Sequence, residues 1–277
     1  MFRKTTIVGS LLALAISFVF AQKAPSSAAT LTAEQVVEKN VAARGGLSAW
    51  RAVQTLSMSG KTQAGGNDQR AAALRVPGAV AEAAVPKQRP AEQAQLPFRI
   101  ELKRPRKSRM EVDFRGQPAV QVYDGTNGWK LRPFLNRHEV EPYTPDQLKE
   151  ASRQDDLDGP LVDYAAKGTK IEMEGVEKVE GKDNYRLKLT FKNGESKKLW
   201  VSAQTFLETK IEGSPRRLDG KMHTVEVYYR DYRPVDGLVM PYLTETVTQG
   251  VKQTEKIEIE KIAVNPKLED ARFAKLQ

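Results

Sequence analysis

Tyr185-Arg186-Leu187-Lys188-Leu189-Thr190-Phe191-Lys192-Asn193-Gly194 decides the fold class. Successive side chains of an extended strand point to opposite faces, so Tyr185, Leu187, Leu189 and Phe191 share one face. Arg186, Lys188, Thr190 and Lys192 share the other. The run ends in Asn-Gly, a pair that accepts positive φ at little steric cost and turns the chain back on itself. A greasy face, a charged face and a hairpin turn describe an antiparallel strand buried on one side.

The period of two recurs outward from this stretch. Phe98, Ile100 and Leu102 alternate with Arg99, Glu101 and Lys103, and Met110, Val112 and Phe114 alternate with Glu111, Asp113 and Arg115. Gln54 to Thr62 alternates more weakly; Val225, Val227 and Tyr229, then Ile257 and Ile259, repeat the pattern. Further turns come from Asp124-Gly125, Asn127-Gly128, Asp219-Gly220 and Asp236-Gly237. These runs predict an antiparallel meander of about ten or more strands. Helix is scarce. Thr32 and Gln35 fit a capping box, Leu31 and Val36 the accompanying staple, and Gly45-Gly46 a left-handed stop, which gives a first helix of about three turns. Pro145 to Ser152 behind Thr144, and Pro160 to Ala166 behind Asp158-Gly159, read as short helical pieces. So long a sheet with so little helix to cover it curls on itself, enclosing either a packed core or a cavity.

The domain plan follows from composition. Arg3 and Lys4, the apolar run Ile7 to Phe20 and Val19-Phe20-Ala21 read as a secretory signal over residues 1–21, cleaved near Ala21. Residues 22–30 are an Ala/Ser/Pro-rich leader, and 31–277 one domain. Residues 64–97 hold ten Ala, four Pro, three Gly and no aromatic, and read as a loose insertion. The rival reading of the first segment, an uncleaved anchor, is disfavoured by an apolar run well short of the roughly 20 residues a span needs.

Of the 277 residues, 44 are Lys or Arg, 35 Asp or Glu, two His and none Cys. Cysteine chemistry, disulfides and zinc ribbons are thereby excluded. The net charge of +9 would suit nucleic acid in a cytosolic protein. In an exported one the available polyanions are lipid headgroups and envelope polymers, and no nucleic-acid partner is expected. Nucleophile-elbow, zinc-protease and P-loop motifs are missing, so neither catalytic residues nor a cofactor or metal site is predicted. Asp155-Asp156-Leu157-Asp158-Gly159 looks like a calcium loop, but that register puts Gln154 first and Ala165 twelfth; turn and capping roles are expected for these acids.

Two segments carry a resemblance. Leu102-Lys103-Arg104-Pro105 resembles the Lys-Arg-Pro strand end of the LolA-like periplasmic lipoprotein carriers, and Tyr123-Asp124-Gly125-Thr126-Asn127-Gly128-Trp129 through Pro133-Phe134 resembles their Asp-Gly-x-x-x-Trp-x-x-x-Pro-Phe hairpin. Gly159 to Tyr164 and Tyr232 to Pro241 resemble the wider group of exported outer-membrane lipoprotein-sorting proteins. The resemblance implies an unclosed antiparallel half-barrel, mainly β, with a few short helices as a lid over an apolar mouth. It also implies a periplasmic carrier of acyl chains of a lipoprotein or lipid, served by an inner-membrane release complex and an outer-membrane acceptor. Arg104 falls where the family's arginine latches the lid. By strand parity the expected cavity wall is Phe98, Ile100, Leu102, Met110, Val112 and Phe114 on one side, with Val122, Leu187, Leu189 and Phe191 completing it. Trp50 and Trp129 are expected near the rim, with a buried core anchor as the competing role. The alternative function is an envelope sensor or adaptor that docks a protein through the basic segment Arg99 to Arg115.

Overall fold

The computed structural model describes residues 31–64, 94–152, 156–218 and 220–277. The segments expected to be a signal peptide and a leader, and residues 65–93 of the expected insertion, lie outside them. Strands β1 (Thr55–Ala64), β2 (Ala94–Lys103), β3 (Lys107–Phe114), β4 (Gln117–Tyr123), β5 (Gly128–Arg132) and β6 (Arg137–Pro142) precede the middle of the chain. After it come β7 (Lys170–Val179), β8 (Lys182–Thr190), β9 (Ser196–Ser202), β10 (Glu208–Leu218), β11 (Lys221–Val235), β12 (Leu238–Thr248) and β13 (Glu255–Val264). All pair in one antiparallel sheet of thirteen strands, ordered β6-β5-β4-β3-β2-β1-β13-β12-β11-β10-β9-β8-β7. The ends of that order, β6 and β7, do not pair with each other. The half-barrel is therefore unclosed, and 143–152 and 156–169 lie between its two edges.

Among the described residues three α-helices accompany the sheet: α1 (Ala33–Ala43), α2 (Leu47–Ala52) and α3 (Pro145–Ser152). The Thr32/Gln35 capping box is formed in full, and Thr144 and Gln147 make the same reciprocal pair at the start of α3. The helix expected over 160–166 is not one. Those residues form turns, and Asp163 sits at φ 52, a left-handed conformation that stops helix propagation. The insertion is also shorter than composition implied. Ala64 closes β1, while 94–97 open β2 with Leu96 buried, and Pro97 pairs opposite Lys61 within the sheet.

Cross-strand partners define two faces. On the inner face Leu56 opposes Leu102, Met58 opposes Ile100, and Phe98 opposes Val112. That face continues through Thr62, Ile257, Thr244 and Tyr229, and from Val227 through Ile211 and Leu199 to Leu187. The two helices before β1 pack on it. Trp50 of α2 joins Val53, Leu56, Val162, Leu238 and Ile262 in a buried cluster. A second cluster gathers Leu96, Phe98, Val112 and Ala119, with Phe134 stacked on Phe114 at 4.0 Å. On the outer face the C-terminal segment folds back, and Phe273, 1% exposed, packs on Val120 and Val122. Among the described residues no helix is long and apolar enough to cross a membrane.

Candidate functional site

The crossing segment builds the site. α3 begins over β5, where Gln147 accepts from the buried Lys130 Nζ at 3.0 Å, and ends against β10, where Ser214 donates to Glu150 at 2.9 Å. Burial lowers the pKa of Lys130 from the ordinary lysine value. Beyond α3 the loop 156–169 turns inward on Leu161 and Val162, both fully buried. Between this crossing segment and the ends of β8 to β11 lies a cavity of about 1020 Å³. Its apolar contacts include Phe191, Val225, Pro160 and Pro215; Lys and Glu side chains make up much of the rest. A gap of about 30 Å³ beside Leu102, Arg104 and Leu157 holds no more than a water.

One carboxylate fastens the loop. Asp158, 1% exposed, accepts from Arg104 Nη2 at 2.7 Å through Oδ2 and from Lys167 Nζ at 2.5 Å through Oδ1. Arg104 also donates from Nε to the Val53 carbonyl at 2.9 Å and from Nη2 to the Trp50 carbonyl at 3.4 Å. A single planar guanidinium thus ties the β2 end, the last turn of α2 and the crossing loop together, a task for which its fixed fork of donors is suited. Nearby, Arg44 stacks over Trp50 at 4.4 Å and donates from Nη1 to the Asp158 carbonyl at 3.0 Å and to Glu208 at 3.2 Å. Gly159 follows at a left-handed φ of +81, a conformation that favours glycine. Tyr232 donates to Glu208 from the far side, and burial holds its phenol well above the usual range.

The wall expected from parity is only partly where it was placed. Phe98, Ile100, Leu102, Met110, Val112, Phe114, Leu187 and Leu189 do share the inner face, but they are packed side chains rather than cavity lining. Phe191 is on the cavity wall. Trp50 is fully buried in the core, with Nε1 donating to the Arg44 carbonyl at 3.0 Å; it is an anchor, not a rim residue. Val122 and Trp129 require correction. They oppose each other across β4 and β5, and Val122 opposes Arg109, which puts both on the outer face beneath Phe273. Asp158, expected to cap a turn, instead is the buried counter-ion of the loop, and Arg44 and Lys167 carry no sequence signal that separates them from other surface cations.

The basic segment proposed for docking is also occupied. Lys103 and Lys107 both reach Asp270, at 3.0 and 2.9 Å, Arg109 pairs with Glu111 at 2.6 Å, and the same C-terminal turn sends Arg272 to the buried Glu101 at 2.6 Å.

This unclosed antiparallel half-barrel is similar in fold to solved proteins of the LolA superfamily. No family model matches this sequence, and no curated protein is similar enough in sequence to count as a relative. Solved structures match the fold. A LolA superfamily protein from Nitrosomonas europaea superposes with a TM-score of 0.54 at 14% identity, over 89% of this chain and 99% of that one. A Vibrio parahaemolyticus domain assigned to the outer membrane lipoprotein-sorting proteins gives 0.54 at 12% identity, over 88% and 96%. A DUF1329 family protein from Desulfovibrio piger gives 0.55 at 14%, over 88% and 98%.

Proposed function

We propose that this chain is a periplasmic carrier that shields the acyl chains of a lipid or lipoprotein in its cavity and performs no chemistry of its own. The observation that carries the reading is the latched opening: a cavity of about 1020 Å³, at the upper end of the roughly 300–1,000 Å³ of ligand pockets, beside a loop held shut through Arg104 and Asp158. In this reading Arg104 is the lid latch. Entry of a chain displaces the loop and trades the latch's hydrogen bonds for burial of methylenes, at about 0.8 kcal/mol each. About ten methylenes would contribute about 8 kcal/mol before the cost of association, enough for useful and reversible binding. Loading at an inner-membrane release complex and delivery to an outer-membrane acceptor belong to the same reading, as does export through the N-terminal signal. The likeness in fold to an outer membrane lipoprotein-sorting protein domain supports it. The adaptor alternative loses its support, because cations of its docking segment are neutralised by the protein's own acids.

Titration with a fluorescent fatty acyl probe tests the proposal. Saturable uptake is expected, with loss of uptake in Phe191→Asp, which puts a charge on the wall at a half-exposed position that the fold tolerates. A wild-type protein that takes up no probe would refute the carrier reading.

A further inference from the structure

Counting charges around the cavity gives a false balance. Five basic and five acidic side chains line it among the described residues. Every one of the acids is already engaged. Asp156 lies 3.4 Å from Arg106 and 4.0 Å from Lys167. Glu212 accepts the Lys198 backbone N–H at 2.9 Å and faces its ammonium at 3.8 Å. Glu226 accepts from Lys210 Nζ and from the Tyr228 hydroxyl, each at 2.9 Å. Glu150 accepts from Ser214 at 2.9 Å and Glu195 from Asn193 at 3.3 Å. Lys198 and Lys210 stand outside the wall, so they neutralise its acids from behind. Lys149, Lys192 and Lys197, in contrast, form no ion pair among the described residues. Lys197 Nζ lies 5.8 Å from the centroid of Phe191, which joins the free cationic part of the wall to its apolar part.

We infer that the cavity takes an anionic acyl amphiphile, its phosphate or carboxylate headgroup at Lys149, Lys192 and Lys197 and its chain against Phe191 and Val225. The inference rests on the carrier reading and narrows its cargo. A zwitterionic lipid with the same chains gains the same methylene burial without the headgroup attraction. Asp156, Glu212 and Glu226, each beside a cation, do not repel an anion as free carboxylates would.

Displacement of the bound acyl probe by dioleoyl phosphatidylglycerol against dioleoyl phosphatidylcholine tests this. Phosphatidylglycerol is expected to displace at about tenfold lower concentration, since its net negative headgroup is attracted by the three ammonium groups. Added salt should narrow the gap. Oleate against oleyl alcohol runs the same comparison for a carboxylate, so preference in one pair and not the other identifies the headgroup. The triple variant Lys149→Gln, Lys192→Gln, Lys197→Gln should bring the ratio close to one, while Lys182→Gln, Lys221→Gln, Lys252→Gln, an equal change of net charge at exposed sites off the cavity, should keep it. Probe displaced equally by charged and uncharged partners, or a preference that survives the first triple variant, overturns the inference and leaves the carrier reading standing. Failure of the wild-type protein to bind the probe overturns both.

Discussion

Asp158→Asn changes one atom of the loop's fastening and leaves its shape. The Asp158 side chain is 2% exposed, and its partners Arg104 and Lys167 retain 26% and 18% exposure. Removing one partner of a fully buried ion pair costs about 3–5 kcal/mol, because the remaining charge is stranded. Here water reaches both cations in part and Asn keeps one acceptor, so the expected loss is about 2–3 kcal/mol. Urea unfolding should show a lower midpoint with an unchanged slope, because the surface exposed on unfolding is the same. Hydrogen exchange should show the loss locally: amides of 156–169 should exchange about thirty-fold or more faster if the loop opens without the sheet. A variant within about 0.5 kcal/mol of wild type, the range of ordinary surface substitutions, with unchanged exchange over 156–169 would refute the assignment of Asp158 as the fastening carboxylate.

Arg104→Lys keeps the charge but loses the fork; one donor group cannot reach both the Val53 carbonyl and Asp158 as the guanidinium does, and about 1–2 kcal/mol should be lost in urea unfolding. Phe273→Ala removes the ring that seals Val120 and Val122, and should cost about 3–5 kcal/mol with a red shift in tryptophan emission as Trp129 is uncovered. Alkaline stability should follow the buried phenols. Burial raises Tyr143 and Tyr232, and burial with a hydrogen bond to Glu226 raises Tyr228 to about 12. The folded protein therefore keeps protons that the unfolded chain releases above about pH 10, so this stability is complete below pH 10 and declines as pH rises toward 12. A folded Tyr143→Phe, Tyr228→Phe or Tyr232→Phe variant that shows less tyrosinate absorbance near pH 10 than the wild type would contradict this.

The sheet was legible because most strands are greasy on one side only. Phe98-Ile100-Leu102 and Leu187-Leu189 alternate with charges and land on a common inner face. β4 breaks that logic. Ala119 through Tyr123 are all buried, since the C-terminal turn covers the outer face there, so parity in β4 carries no information about which side is inner. The misplacement of Val122 has that cause; Trp129 was placed by the chemistry of its ring, and the same C-terminal turn covers it on the outer face. α2 spans six residues, too few for a helical period to register, yet it holds Trp50 in the core. Asp158 was hidden for another reason. Asp-Leu-Asp-Gly is turn composition, and the partner that defines its role, Arg104, is 54 residues away. The cavity itself was invisible, because it is bounded by turn residues and strand ends in which neither period operates.

Native mass spectrometry of the protein, exported to a bacterial periplasm and purified without detergent, addresses the carrier claim most directly. The account predicts a reproducible adduct that dissociates on denaturation, is identified as an acyl lipid after extraction, and is reduced in Phe191→Asp. A bare polypeptide mass from that preparation, unchanged after incubation with acyl lipid, would contradict it.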